Sequence, residues 1–178
     1  MTTHFHNQKH KVDIVTYEWK SIMGRHDVSS GFLGLASGGA FASEYTGSDL
    51  SLVGKVVIYL ESEFIKTLTK SEIEALVAHE AGHIRNRDVE SAKEKGQTGV
   101  TNDVWDELNA DKYAISSGVK PSDLENVIKK ALKMEISRVV TGDQREIFEE
   151  LIRNRAITQR LKALQNYSRC AGDLVVIK

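Results

Sequence analysis

The stretch Thr69–Asp88, TKSEIEALVAHEAGHIRNRD, decides how this chain folds. Thr69 and Glu72 have the spacing of a capping box, in which a threonine and a glutamate three residues on satisfy each other's free backbone N–H. The apolar positions Ile73, Leu76, Val77 and Ile84 then recur at helical period. A long helix is expected to start at Thr69. Within it, residues 79–83 read His-Glu-Ala-Gly-His. Positions i and i+4 share one helical face about 6 Å apart, so two imidazoles can converge on one ion. The glutamate beside the first histidine projects next to that face and can reach a water on the ion as general base. The pattern predicts one zinc ion per chain, held by His79 and His83, with Glu80 as the base. Gly82 leaves room for a second element to come close.

Ahead of this helix, Gly54–Leu60 (GKVVIYL) is rich in β-branched and aromatic residues and reads as a strand. Residues 29–48 carry Gly31, Gly34, Gly38, Gly39 and Gly47, but no Gly-Lys-Ser/Thr follows them. Loop and short strand is therefore expected there, not a phosphate cradle. Val12, Val15, Trp19, Ile22 and Met23 fall at helical spacing, with Gly24 as a C-cap. Residues 1–10 are polar and contain His4, His6 and His10; a disordered start is expected, in preference to a metal-binding tail.

Beyond the central helix, Gly96 and Gly99 mark a loop, and a helix is expected from Asp103 to Ser117, closed by Gly118. After the one proline, Pro121, a helix from Ser122 to about Val140 would bury Leu124, Val127, Ile128, Ala131 and Leu132. Asp143 and Glu146 have capping-box spacing and open another, and Ala156–Tyr167 reads as helix again. Leu174–Ile177 suggests a late strand. The expected architecture is α+β: one domain over residues 1–178, mostly helical, with a small front sheet and the histidine helix at its centre.

Composition excludes several function classes. The chain has 178 residues, with 24 Lys+Arg against 25 Asp+Glu, so no basic excess draws it to nucleic acid. Its single cysteine, Cys170, forbids an internal disulfide. The longest apolar runs, Val56–Leu60 and Leu174–Ile177, fall far short of the ~20 residues of a membrane span. No apolar signal segment opens the sequence. A soluble protein of a reducing, cytoplasmic compartment is the expectation.

Two histidines leave a tetrahedral ion one protein ligand short. No histidine follows His83, so the third must be a carboxylate on another element. Trp105–Ala114 reads WDELNADKYA, with Glu107 and Asp111 one turn apart and Ala110 and Ala114 on their face. Small residues beside two acids suit a helix pressed closely on another with its acids inward. Glu107 is expected as the ligand, and Asp111 as the acceptor of the free N–H of a ligating histidine.

HEAGH followed 24 residues later by ELNAD resembles the gluzincin family that includes HtpX-type heat-shock metallopeptidases and CAAX prenyl endopeptidases. The likeness covers about residues 30–165. The stretch KVVIYLESEFIKTLTKSEIEALVAHEAGHIRNRD, Lys55–Asp88, is similar throughout to that family's strand, turn and zinc helix. Gly39-Ala40-Phe41-Ala42 is similar to its Asn-Ala-Phe edge strand, with glycine for asparagine, and Arg160-Leu161-Lys162-Ala163-Leu164 to its late Arg-Ile-x-x-Leu. The resemblance implies a zincin-like fold and a minimal, soluble zinc endopeptidase that hydrolyses peptide bonds. It also implies that an extended polypeptide substrate lies along Ala40, Phe41, Ala42 and Ser43. Six residues before the late arginine, where the family usually has histidine, stands Asn154. Asn154 or Arg160 is expected to stabilise the oxyanion; Arg160 equally suits a buried arginine paired with an acid. The membrane helices of many members are absent here, so roles in membrane-protein turnover or prenyl processing do not carry over. The competing expectation is a zinc-binding but non-proteolytic interaction or regulatory module. Glu80, which a purely structural zinc site does not require, speaks against it.

Overall fold

A computed structural model of the chain describes residues 4–18, 39–45, 47–94, 104–138 and 155–173. Thr69 opens the central helix as its spacing predicts. The Thr69 hydroxyl accepts from the Glu72 N–H, and the Glu72 carboxylate accepts from the Thr69 N–H at 2.7 Å. Counting from the start of the chain, the strands are β1 (His4–Asn7), β2 (Val12–Tyr17), β3 (Ala40–Glu44) and β4 (Val56–Glu61). The helices are α1 (Ser62–Ile65), α2 (Lys70–Asn86), α3 (Asp88–Glu94), α4 (Val104–Ser116), α5 (Pro121–Arg138) and α6 (Arg155–Asp173). The class is α+β.

The four strands form one sheet in the order β1-β2-β4-β3. β2 runs parallel to β4, with Ile14 opposite Ile58, while β1 and β3 run antiparallel to their neighbours. Among the described strands, β3 stands at an edge of the sheet beside β4.

Two expectations for the start of the chain are corrected. The described part of residues 1–10 is not disordered: His4–Asn7 pairs with Val12–Val15 in a hairpin. The helix expected from Val12 is a strand up to Tyr17. Four of its six residues, Val12, Ile14, Val15 and Thr16, are β-branched, and such side chains lose rotamers in a helix but fit a pleated surface. Pairing with β4 overrides the helical spacing. Residues 19–24, the rest of that expected helix, lie outside the described residues, as do Gly96, Gly99, the segment opened by Asp143 and Glu146, and Leu174–Ile177.

The strand at Gly54–Leu60 and the helices expected from Asp103, Ser122 and Ala156 are present with shifted ends, as β4, α4, α5 and α6. The short α1 and α3 were not expected. α1 places Phe64 in the core.

The core explains why α2 is central. Leu76, Val77 and Ala81 meet the sheet through Ile14, Ala40, Ile58 and Leu60. Ala75 and Ala78 meet Ala114, Leu124, Ile128, Ile157 and Leu164 of the other helices. Every residue from Ala75 to His83 is buried, so α2 is covered on all sides over two turns. Burying leucines such as Leu76, Leu124 and Leu164 contributes about 1.5–3 kcal/mol each. That apolar surround holds a polar segment, His79 to His83, out of water.

Candidate metal centre

α4 lies against α2 at their smallest residues. A Cβ on Gly82 would stand 2.8 Å from the Ala110 Cα and 3.0 Å from its carbonyl oxygen. Glycine is thus a steric requirement at position 82, as the sequence suggested. On the facing side of α4, Glu107, Ala110, Asp111 and Ala114 are buried, the i, i+3, i+4, i+7 set of one helical face. This contact carries both acids to the two histidines.

The donor atoms converge. His79 Nε2 and His83 Nε2 are 3.2 Å apart, His79 Nε2 lies 3.3 Å from Glu107 Oε2, and His83 Nε2 lies 3.4 Å from Glu107 Oε1. Donors around a tetrahedral zinc lie about 3.3–3.4 Å from one another, given its typical bond lengths. Among the described residues, His79, His83 and Glu107 are the group that could hold a metal ion.

Each imidazole is oriented from its other nitrogen. His79 Nδ1 lies 2.8 Å from Asp111 Oδ1, and His83 Nδ1 lies 2.8 Å from Asp88 Oδ2. With Nδ1–H donating to a carboxylate, each Nε2 presents a lone pair in the neutral form of the ring, the form that binds a metal. Two lone pairs and a carboxylate then face one another in a buried space, an arrangement that a cation relieves. The residues present fit a metal ion.

Charge follows the same geometry. Burial raises the carboxyl pKa of Glu107, but Arg160 and the two histidines outweigh it and hold Glu107 well below its usual value. Asp111 is likewise brought down to about 2, burial being overcome by Arg160 and His79. Burial lowers His83, yet its bonds to Asp88 and Glu107 push it up to about 10. His79 is also raised, because Asp111 and Glu107 overcome burial and the repulsion of Arg160. In Glu80 burial prevails and moves the carboxyl upward. Glu80 Oε1 is buried with no hydrogen-bond partner among the described residues. A buried carboxylate oxygen without a partner has the chemistry of a proton acceptor.

Arg160 of α6 is buried and ion-paired. Its Nε and Nη2 donate to the two oxygens of Asp111, both at 2.9 Å, and its Nη1 donates to Glu107 Oε2. Of the two expectations for this residue, the pairing with acids describes its contacts. Asn154 lies outside the described residues. Ala40–Ser43 lie in the edge strand β3, with Ala40 and Ala42 buried, and β3 adjoins α2. Asp88 escaped the sequence reading. On an unbroken helix a residue five beyond His83 sits about 140° round the axis, and spacing gave no reason to pair the two.

No described helix is long and apolar enough to cross a membrane. Residues 40–102 match the family model of peptidase family M48. Comparison with curated proteins and with solved structures gave no match. The matched stretch runs from β3 through α3 and contains His79, Glu80 and His83, whereas Glu107, Asp111 and Arg160 lie beyond it. The match supports the M48 metallopeptidases, a family that takes peptide substrates.

Proposed function

We propose, starting from the M48 match across the histidine helix, that this chain is a gluzincin-type zinc endopeptidase of HtpX-like or CAAX-endopeptidase kind, a single domain over residues 1–178. The observation that carries the reading is the convergence of His79 Nε2, His83 Nε2 and the two Glu107 oxygens, 3.2–3.4 Å from one to the next, together with a Glu80 oxygen that has no partner among the described residues.

His79 Nε2, His83 Nε2 and a Glu107 oxygen would hold the ion. Zinc bound there supplies polarisation of a carbonyl and acidification of water. Glu80 takes a proton from the attacking water at its free oxygen and passes it to the leaving amine. Its raised pKa suits the first half of that task, since burial strengthens the carboxylate as a proton acceptor. Arg160 holds Asp111 and Glu107 in place, and Asp111 keeps the proton of His79 on Nδ1. Arg160, whose five N–H groups exceed its three bonds to acids, and Asn154 are the candidates for oxyanion donor. The substrate is an extended polypeptide that lies alongside β3 at Ala40–Ser43.

The test is a peptide-library digest by the purified chain, with and without chelator, alongside metal analysis. One zinc per chain and chelator-sensitive internal cleavage are expected. Stoichiometric zinc without cleavage of any peptide would overturn the peptidase reading in favour of a zinc-binding interaction module.

A further inference from the structure

Asp88 is a buried carboxylate to which the proposed mechanism gives no role. α2 ends at Asn86, and Arg87 takes the left-handed conformation, φ 62° and ψ 31°, with its N–H turned back to the carbonyls of His83 and Ile84. The chain resumes as α3 at Asp88. The left-handed residue brings the Asp88 carboxylate, five positions along, to 2.8 Å from His83 Nδ1. An arginine adopts this conformation at a cost that a glycine avoids, so the bend is held by what it achieves. What it achieves is a buried charge placed on one nitrogen of a buried imidazole. Asp88 and His83 are 8% and 2% exposed.

We propose that Asp88 is a positioning residue for the metal centre: it keeps the His83 proton on Nδ1 and turns Nε2 toward His79 and Glu107. It matches Asp111 on the other histidine, at the same 2.8 Å, but its origin differs. Asp111 arrives from α4 and is braced on both oxygens by Arg160, whereas Asp88 is delivered by one turn of local backbone. The Arg87 hinge and Asp88 therefore form a self-contained clamp at the end of the histidine helix. This inference rests on the zinc reading and deepens it.

The experiment measures zinc dissociation constants of the full chain, wild type, Asp88→Ala and Asp88→Asn, by competition with a chromogenic chelator. Imidazole nitrogen–proton NMR correlations of the zinc-loaded wild type accompany it. Asp88→Ala should weaken zinc by about 10–100-fold. Asp88→Asn, whose amide oxygen still accepts the Nδ1–H, should recover most of that loss, a rescue that a role in bulk stability would not produce. The wild-type spectrum should show the His83 proton on Nδ1. Wild-type affinity in Asp88→Ala, or a His83 proton on Nε2, overturns the inference while leaving the zinc reading intact. A wild-type chain that takes up no zinc overturns both. If Asp88→Ala does not fold, Asp88→Asn and the wild-type spectrum decide: the proton must lie on Nδ1 and the asparagine chain must bind zinc within about tenfold of wild type.

Discussion

Two regions of the molecule gather a pair of histidines around carboxylate, and they do opposite things. In the centre, His79 and His83 stand at i and i+4 of a buried helix, each Nδ1 held by a different acid, and their Nε2 atoms converge with Glu107. At the sheet's other edge, His4 and His6 stand at i and i+2 of β1, with side chains 34% and 42% exposed. Both reach the same oxygen of Asp13, at 3.2 and 2.9 Å, and Lys55 Nζ lies 3.4 Å from the other oxygen. The exposed cluster brings its own cation and satisfies its acid. The buried one has a cation too, Arg160, paired with Glu107 and Asp111, but it also turns the Nε2 atoms of two histidines and the Glu107 carboxylate toward one another. Histidine count does not make a metal site; convergence of lone pairs in a dry space does.

The strongest test of the central region separates holding from catalysing. Glu80→Gln should keep one zinc per chain and the fold while lowering peptide turnover by about 10²–10⁴-fold, the usual share of a general base. Full activity of a zinc-loaded Glu80→Gln chain would break the mechanism. Next in size is the third donor. Glu107→Ala should weaken zinc by more than the ~10–100-fold typical of losing an outer carboxylate, whereas Glu125→Ala should not change it. Glu125 pairs with Lys129 on α5, away from the donor triangle, so equal zinc affinities in the two variants would mean that the ligand is misassigned.

A third test acts on the close approach itself. A methyl at position 82 must push α4 away, because it meets the backbone of Ala110 and not a movable side chain. Gly82→Ala should cost about 1–3 kcal/mol of stability in chemical denaturation. It should also weaken zinc binding, since Glu107 rides on the displaced helix. Unchanged zinc affinity in a destabilised Gly82→Ala chain would show that the α2–α4 contact serves the fold alone.

The smallest effect is expected in the exposed cluster. Burial raises the Asp13 carboxyl, but hydrogen bonds from His6 and His4 and the charge of Lys55 outweigh it and hold the pKa below its ordinary value. Because the folded pKa is the lower one, the stabilisation is complete above about pH 4 and is lost as pH falls through the folded value. Asp13→Asn should therefore be less stable than wild type at pH 7 by about 1 kcal/mol or less. The gap in urea midpoint should close toward pH 2, and zinc should stay at one per chain. A fall in zinc stoichiometry on Asp13→Asn would make the two histidine clusters alike after all.

The sequence by itself determined the central helix and named most of the residues that the structure gathers beside it. The capping box at Thr69 and Glu72, the period of Ile73, Leu76 and Val77, and the spacing of His79, Glu80 and His83 are local, and local geometry is what a helix repeats. Glu107, Asp111 and Ala110 were legible for the same reason: small residues and acids on one helical face. Tertiary structure decided the rest. Val12–Tyr17 became a strand because β4 supplied hydrogen bonds that no local pattern announces. His4 and His6 were ordered by pairing with β2, and Asp13, cross-strand from His6, gathered them. The role of Arg160 waited on contacts 49 and 53 residues distant in sequence. Asp88 needed one left-handed residue to reach His83. Periodicity records which side chains share a face of a regular element; it cannot record where the chain turns back, or which distant charge a buried acid will find.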